Sequence, residues 1–428
     1  MSDEATLRPE TLAIHAGARP DPTTKARITP IYQTASYVFD DSDHAAALFN
    51  LEAGGNIYTR LGNPTNGVLE DRLAALEGGK AALTVASGHA AQFLVFHTLM
   101  EPGRNIVASR KLYGGSINQL GQSFRKMGWN VTFIDSDDPA DFAKAIDADT
   151  RAVFVESLAN PGGVVTDIAA IAKVAHDAGV PLVVDNTLAT PFLIQPIAHG
   201  ADIVVHSLTK FLGGHGNSIG GVIVDSGAFD WTKDGKYPYL AAPNPSYHGK
   251  VFTDAFGPVA FIVACRALGL RDLGPALSPF NAFMILTGIE TLPLRMERHC
   301  QNALAAARWL KAHPKVAWVS YAGLPDDRYH ALAQRYAPRG AGAVFTFGLK
   351  GGYEAGVKLV GAVKLFSHLA NIGDTRSLII HPSSTTHRQL EPAAQVAAGA
   401  GPDVVRLSVG LEHIDDIIAD LDQALAQV

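Results

Sequence analysis

Ala201-Asp-Ile-Val-Val-His-Ser-Leu-Thr-Lys210-Phe-Leu-Gly-Gly-His-Gly216 is the stretch from which the rest of the chain is read. Ile203 to His206 is a short apolar run that reads as a buried strand. A similar run, Leu182-Val-Val-Asp185, leads into Asp185-Asn186-Thr187, and Lys210 lies 25 residues beyond Asp185. Ligands of open parallel sheets bind outside the carboxyl ends of the strands, so a carboxylate and a lysine are expected at one crevice. Ser207 and Thr209 place hydroxyls beside that lysine, and Gly213-Gly214 lets the backbone approach a ligand closely.

Working outward, Ala81–Ala86, Asn105–Ser109, Val131–Ile134 and Ala152–Glu156 read as further strands. Between them, Leu69, Leu73 and Leu76 sit at helical spacing before Gly78-Gly79. Ser87-Gly88 opens a helix through Met100, and Ile168–Ala178 is a helix stopped by Gly179. Fully apolar strands alternating with helices predict an α/β fold, a mostly parallel sheet covered on both faces. Further on, Asn281–Lys311 reads as a long helix broken at Pro293. Val316–Tyr321, Ala343–Leu349 and Val404–Val409 read as strands, with helices at Tyr353–Phe366 and Ile414–Ala426. The expected division is an arm over 1–65 that docks on a neighbouring subunit, an α/β domain over 66–280 and a smaller α+β domain over 281–428.

The chain has 428 residues, 47% of them hydrophobic, enough for a large core. Charged residues make up 18%, against roughly 25% in an average soluble protein, which points to surface buried between subunits. A net charge of −6 gives no electrostatic footprint for nucleic acid. Cys265 and Cys300 are too few for a disulfide framework or a CxxC metal site, which suggests a reducing compartment. The acidic start lacks the apolar core of a signal peptide. His89, His97 and Arg266 interrupt the longest apolar runs, so no membrane span is expected and a cytoplasmic location is. Gly214-His-Gly216 with Gly220 misses the dinucleotide spacing by one residue and reads as a turn, which disfavours a nicotinamide-dependent oxidoreductase. No phosphate-binding GxxxxGK[ST] or zinc-binding HExxH occurs, and the 16 histidines form no metal set.

A lysine flanked by hydroxyls and facing a carboxylate suits pyridoxal 5'-phosphate. The lysine forms a Schiff base, and the carboxylate keeps the pyridine nitrogen protonated so that the ring accepts carbanion electrons. As isolated residues, Asp185 would cap a turn and Lys210 would be solvated; their agreement favours the cofactor site. Ser87-Gly88-His89 before a helix is a candidate phosphate cradle, although an N-cap alone would explain it. Tyr113-Gly-Gly115 offers an aromatic ring to stack or to move protons. Tyr58-Thr-Arg60 offers a guanidinium fork suited to phosphate. Arg406 sits among apolar strand residues and needs a partner, either a substrate carboxylate or an internal acid.

These residues fall in recognisable surroundings. The 201–216 stretch and Tyr58-Thr-Arg-Leu-Gly-Asn-Pro-Thr65 resemble the lysine and arm motifs of the Cys/Met-metabolism family of pyridoxal phosphate enzymes, which have fold type I architecture. Within it, the runs Pro279–His299, Ser367-His-Leu-Ala-Asn-Ile-Gly-Asp374 and Thr385-Thr-His-Arg-Gln-Leu390 are similar to the O-acetylhomoserine sulfhydrylase branch, as is the aromatic- and proline-rich Trp231–Phe256. That last stretch resembles an insertion absent from shorter lyases, with a lid or wall as its expected role.

The resemblance implies that Lys210 is the Schiff-base lysine, Asp185 the partner of the ring nitrogen, and Tyr113 a stacking and proton-moving group. Ser87, Gly88, His89, Ser207 and Thr209 would hold the phosphate, joined by Tyr58 and Arg60 from the adjacent subunit. Asn160, in Glu156-Ser-Leu-Ala-Asn-Pro161, would contact the phenolic oxygen or the substrate. Arg406 with Ser377 would bind the substrate carboxylate. The implied reaction is γ-replacement on O-acetyl-L-homoserine by sulfide or methanethiol, with a methionine γ-lyase or cystathionine γ-synthase activity as the alternative. Gly115 stands where methionine γ-lyases carry a cysteine, against the lyase. The implied assembly is a homotetramer of dimers with shared sites.

Overall fold

A computed structural model describes residues 7–160, 163–389 and 391–428, with Ala394 and Ala397 described by backbone alone. Pro161, Leu390 and the first six residues of the acidic start lie outside the described residues.

Seven strands form the larger sheet: β1 (Ala81–Val85), β2 (Asn105–Ser109), β3 (Asn130–Ile134), β4 (Thr150–Glu156), β5 (Leu182–Asp185), β6 (Ile203–Ser207) and β7 (Gly221–Asp225). Their order is β1-β7-β6-β5-β4-β2-β3. The pairs β3–β2, β2–β4, β4–β5 and β5–β6 are parallel. Every residue of β2 and β4 is buried, as strands covered on both faces must be. Sequence reading missed β7, which runs antiparallel to both β6 and β1. Parallel neighbours need a helical crossover, whereas antiparallel ones can be joined by a loop. The loop from β6 to β7 is the one that carries Lys210.

Ser207 and Gly221, paired in register, bracket that loop. Behind β5 and β6, His206 Nε2 lies 2.6 Å from Glu77 Oε1, and Asn186 donates to the same oxygen at 2.8 Å. Alternate residues of a strand point to opposite faces. His206 and Asn186 therefore anchor one face to the helix Pro64–Glu77, while their neighbours Ser207 and Asp185 face the other.

The second sheet holds β8 (Val316–Ser320), β9 (Val344–Leu349), β10 (Ser367–His368), β11 (Leu378–Ile380) and β12 (Val404–Ser408), in the order β10-β11-β12-β9-β8. The short strands β10 and β11 carry too few residues to show a period. The expected long helix is two, Pro279–Glu290 and Leu292–Ala312. The break falls at Thr291, two residues before Pro293, because a proline fits a helix's first turn but cannot continue a preceding one. One apolar core runs from the large sheet through this helix pair, by way of Phe211, Ile285 and Met296, to Phe345 and Leu407 of the second sheet.

The helix Pro9–His15 buries Leu12 and Ala13 against that same core, beside Leu69 and Leu73. Between it and Pro64 the only further helix is Ser42–Phe49, and Val38 is 96% exposed. On the opposite face of the large sheet, Phe252–Leu273 is long and apolar enough to cross a membrane by length and composition alone, although Arg266 interrupts it as the sequence reading noted. Half of its most apolar window is buried, and Phe252, Phe261 and Leu268 pack with Phe96 and Phe154 under the sheet. Arg266 within it donates to Glu70 and to Leu61 O, each at 2.6 Å. It is a core element of the fold.

Candidate active site

The carboxyl ends of β4, β5 and β6 open onto a cavity of about 270 Å³, and Asp185, Ser207, Thr209 and Lys210 all line it. Asp185 is held by three donors: Thr187 N at 3.0 Å, the Thr187 hydroxyl at 2.5 Å and Gln92 Nε2 at 3.1 Å. The Thr187 hydroxyl also accepts from Ser207 N at 2.9 Å, tying the ends of β5 and β6 together. Lys210 donates from Nζ to Asn371 Oδ1. Burial, and then the charge of Arg406, bring its amine down to about 8. A lysine so depressed carries a substantial neutral fraction near pH 7 to 8.

The helix Gly88–Leu99 points its positive end at the same cavity. Ser87 is its N-cap, accepting from Ala90 N at 3.1 Å, and Ala91 N bonds to Ser87 O at 3.0 Å. The amides of Gly88 and His89 precede them at a terminus that favours anions. A Cβ at Gly88 would meet Ser207 Cβ at 2.9 Å and Ser207 Cα at 3.0 Å, and one at Gly221 would collide with Ser87 O. Only glycines let this helix end sit against β6 and β7, beside the Ser207 and Thr209 hydroxyls.

Arg406 enters from β12. It donates to Asn160 Oδ1 at 3.1 Å and to Asn371 O at 3.2 Å, both uncharged. Among the described residues no carboxylate forms an ion pair with it, so the internal acid weighed from sequence is not what it meets. Burial lowers its guanidinium to about 10. Tyr113, 49% exposed, stacks on His89 with ring centroids 5.8 Å apart. The ring lies over Gly115, where a Cβ would overlap it. His89 Nε2 and Gln92 Oε1 are buried without a hydrogen-bond partner among the described residues.

Three of the expected site residues lie away from this cavity in the single chain. Ser377 is fully buried outside the cavity lining; it donates its hydroxyl to Glu412 at 2.8 Å and accepts from Gly410 N at 2.8 Å, so its single O–H is already committed. Tyr58 and Arg60 do not reach this cavity within their own chain. Arg60 donates to Arg271 O, and both side chains line a separate open depression with Phe49 and Leu273. Conversely, sequence reading missed Gln92, Thr187, Asn371 and Glu156, all of which line the cavity. Gln92 lies about one helical turn beyond Gly88, and Thr187 two residues after Asp185, so local spacing held a signal for both. Asn371 lay inside a quoted motif without a role. Nothing local marked Glu156.

Comparison with known protein families matches residues 10–426 to the family described as Cys/Met metabolism PLP-dependent enzyme. The chain belongs to that family. O-acetyl-L-homoserine sulfhydrylase of Leptospira meyeri is 56% identical to this PLP-dependent enzyme, over 99% of this chain and 97% of its own. Homocysteine synthase of Schizosaccharomyces pombe is 53% identical over 97% of each. Among solved structures, an O-acetylhomoserine (thiol)-lyase of Campylobacter jejuni superposes with a TM-score of 0.95 at 41% identity, covering 98% of this chain and 100% of the other; it carries a pyridoxyl-lysine phosphate. The fold is that of the PLP-dependent type I enzymes.

The donors of this PLP-dependent enzyme suit its cofactor. A helix N-terminus with two hydroxyls matches a phosphate, a carboxylate fixed by three donors matches a pyridinium, and a desolvated amine matches an aldehyde. The unpartnered His89 and Gln92 atoms show polar groups in the cavity wall that the protein alone does not satisfy.

Proposed function

We propose that the enzyme catalyses γ-replacement on O-acetyl-L-homoserine with sulfide, releasing acetate and forming homocysteine, with methanethiol as an alternative nucleophile giving methionine. The observation that carries this reading is Lys210, Asp185 and an Arg406 with no acidic partner among the described residues around one cavity, in a chain more than half identical to curated sulfhydrylases.

Bound pyridoxal phosphate supplies an electron sink that lets protons leave Cα and Cβ of the amino acid and acetate leave Cγ. Asp185 holds the ring nitrogen's proton, and Gln92 and Thr187 hold Asp185. The Gly88 and His89 amides with the Ser87, Ser207 and Thr209 side chains bind the phosphate. Lys210 Nζ removes the Cα proton and moves protons on the same face, which its depressed basicity suits. Tyr113 covers the ring and assists proton movement at its phenolic oxygen. Arg406 binds the substrate carboxylate as a charge-assisted pair, with Asn160 and Asn371 fixing the guanidinium plane. Tyr58 and Arg60 serve the phosphate of a neighbouring copy, so the working unit is a dimer or a tetramer of dimers, in the cytoplasm. The part of the chain that reaches across is the exposed stretch 18–62, since Pro9–His15 stays on its own core. The divisions at 66–280 and 281–428 are the two lobes about the cavity. The crowding at Gly115 disfavours the lyase reading.

Steady-state kinetics with acetyl and succinyl esters of homoserine, each paired with sulfide, methanethiol and cysteine, test the proposal. Homocysteine from the acetyl ester and sulfide as the fastest product supports it. Faster ketoacid release without a thiol, or faster cystathionine formation, contradicts it.

Two expected outcomes follow from the geometry. Arg406→Ala raises KM for O-acetylhomoserine by roughly 100-fold, within the range of about 2–5 kcal/mol that goes with truncating a buried charge partner. Its uptake of pyridoxal phosphate stays near wild type, which absorbance titration checks. The second concerns pH. Cofactor capture requires neutral Lys210, and burial disfavours the charged form, so the amine titrates at about 8. The uptake rate of cofactor-free enzyme should therefore climb about tenfold per pH unit below that value and level off above it. A rate still rising at pH 10 would show an ordinary surface lysine.

A further inference from the structure

The hydrogen bonds around the cavity join into one chain, and one group in it has no role in the reaction as described. Glu156, the last residue of β4, is 4% exposed. Its Oε1 accepts from Tyr113 N at 2.6 Å and its Oε2 from Asn160 N at 3.1 Å. Asn160 Oδ1 then receives Arg406, Arg406 also donates to Asn371 O, and Asn371 Oδ1 receives Lys210 Nζ. The groups proposed to cover the ring, to hold the substrate carboxylate and to move protons are thus linked in series. Tyr113 and Asn160 sit on different loops, and within this chain of bonds Glu156 alone joins them.

We propose that Glu156 is a positioning residue that sets the Tyr113 loop and the Asn160 loop together through its two carboxyl oxygens. This rests on the reading that Tyr113 and Arg406 serve cofactor and substrate. The geometry makes the side chain hard to replace. Glutamine offers one oxygen and turns its NH2 toward the other amide, leaving a donor facing a donor. Aspartate keeps both oxygens but is one methylene shorter and reaches one amide only. Burial, and then the charge of Asp185 in register on β5, push the Glu156 carboxyl up, while the amides of Tyr113 and Asn160 pull it down, so these two bonds are what favours both oxygens as acceptors.

Amide hydrogen exchange on the cofactor-free protein tests the proposal without depending on turnover. In the wild type the Tyr113 and Asn160 amides should be protected at least about 100-fold relative to unbonded loop amides, as buried bonded groups are. If both exchange freely, the proposal fails whatever any variant does. In Glu156→Gln, and likewise in Glu156→Asp, one of the two amides should exchange at least tenfold faster while the strands keep their protection. Kinetics must follow the amide that is freed. Loss at Tyr113 lowers kcat more than tenfold at constant KM, and loss at Asn160 raises KM for the ester through Arg406. Both variants should still take up pyridoxal phosphate. Unchanged exchange at both amides contradicts the proposal, whether turnover is kept or lost, because Glu156 would then be idle or would act on the reacting atoms directly. A wild type that takes up no pyridoxal phosphate would instead overturn the functional reading and leave the exchange result standing.

Discussion

Lys210→Ala should lose the visible absorbance of bound pyridoxal phosphate and more than about 10³-fold in kcat, since general acid–base assistance alone is worth typically 10²–10⁴-fold. The size of the effect follows from how the side chain is placed. Lys210 leaves the end of β6 in a loop pinned by Leu208 N to Gly220 O at 2.9 Å and Gly214 N to Lys210 O at 2.7 Å. Gly373 packs so closely that a Cβ there would lie 3.0 Å from the Lys210 carbonyl carbon. Among the described residues no other lysine lines the cavity to take over. Truncation to alanine leaves the backbone bonds intact, and the variant should stay folded. A small added amine, filling the space the side chain vacates, should restore part of the proton transfer and none of the covalent link. Turnover within tenfold of wild type without added amine would remove Lys210 from the chemistry.

Asp185→Asn should cost about 10²–10³-fold in kcat, with a smaller loss of cofactor affinity. A carboxylate accepts all three of its present donors, Thr187 N, the Thr187 hydroxyl and Gln92. An asparagine presents one oxygen and two N–H donors, so at least one buried donor is stranded, at about 1–3 kcal/mol. The larger loss is electrostatic. Without the negative charge the ring nitrogen gives up its proton, and the electron sink weakens where charge develops in the transition state. The checks are kcat with saturating cofactor, a shifted visible band, and a melting temperature near wild type. A kcat within a factor of three of wild type would mean that Asp185 merely caps its turn.

Much of this architecture was legible before any coordinates. The strands that meet the cavity carry short apolar runs, Ala152–Val155, Leu182–Val184 and Ile203–Val205, so composition announced burial on both faces, and their ends placed Asp185, Ser207 and Lys210 together. Ser87 was readable as a cap and is one. Harder to read was anything set by contacts distant in sequence. Gly221–Asp225 is as apolar as its neighbours, yet its antiparallel direction depends on a loop that the lysine motif disguised as a turn. Leu12 and Ala13 are buried because Pro9–His15 packs on the helix Pro64–Glu77, more than 50 residues on, with Leu292–Ala312 beside it. Ser377 directly precedes β11, the strand paired with that of Arg406, and the partner that takes its hydroxyl proton, Glu412, is 35 residues away. Glu156 showed no signal at all, because its meaning lies in two backbone amides supplied by loops that only the folded chain brings together.

Borohydride reduction of the holoenzyme followed by peptide mapping is the most direct test of the central claim. The account requires one pyridoxyl group per chain, on the peptide that contains Lys210 and nowhere else. A stable adduct on a different lysine, or no adduct in an enzyme that turns over, would contradict it.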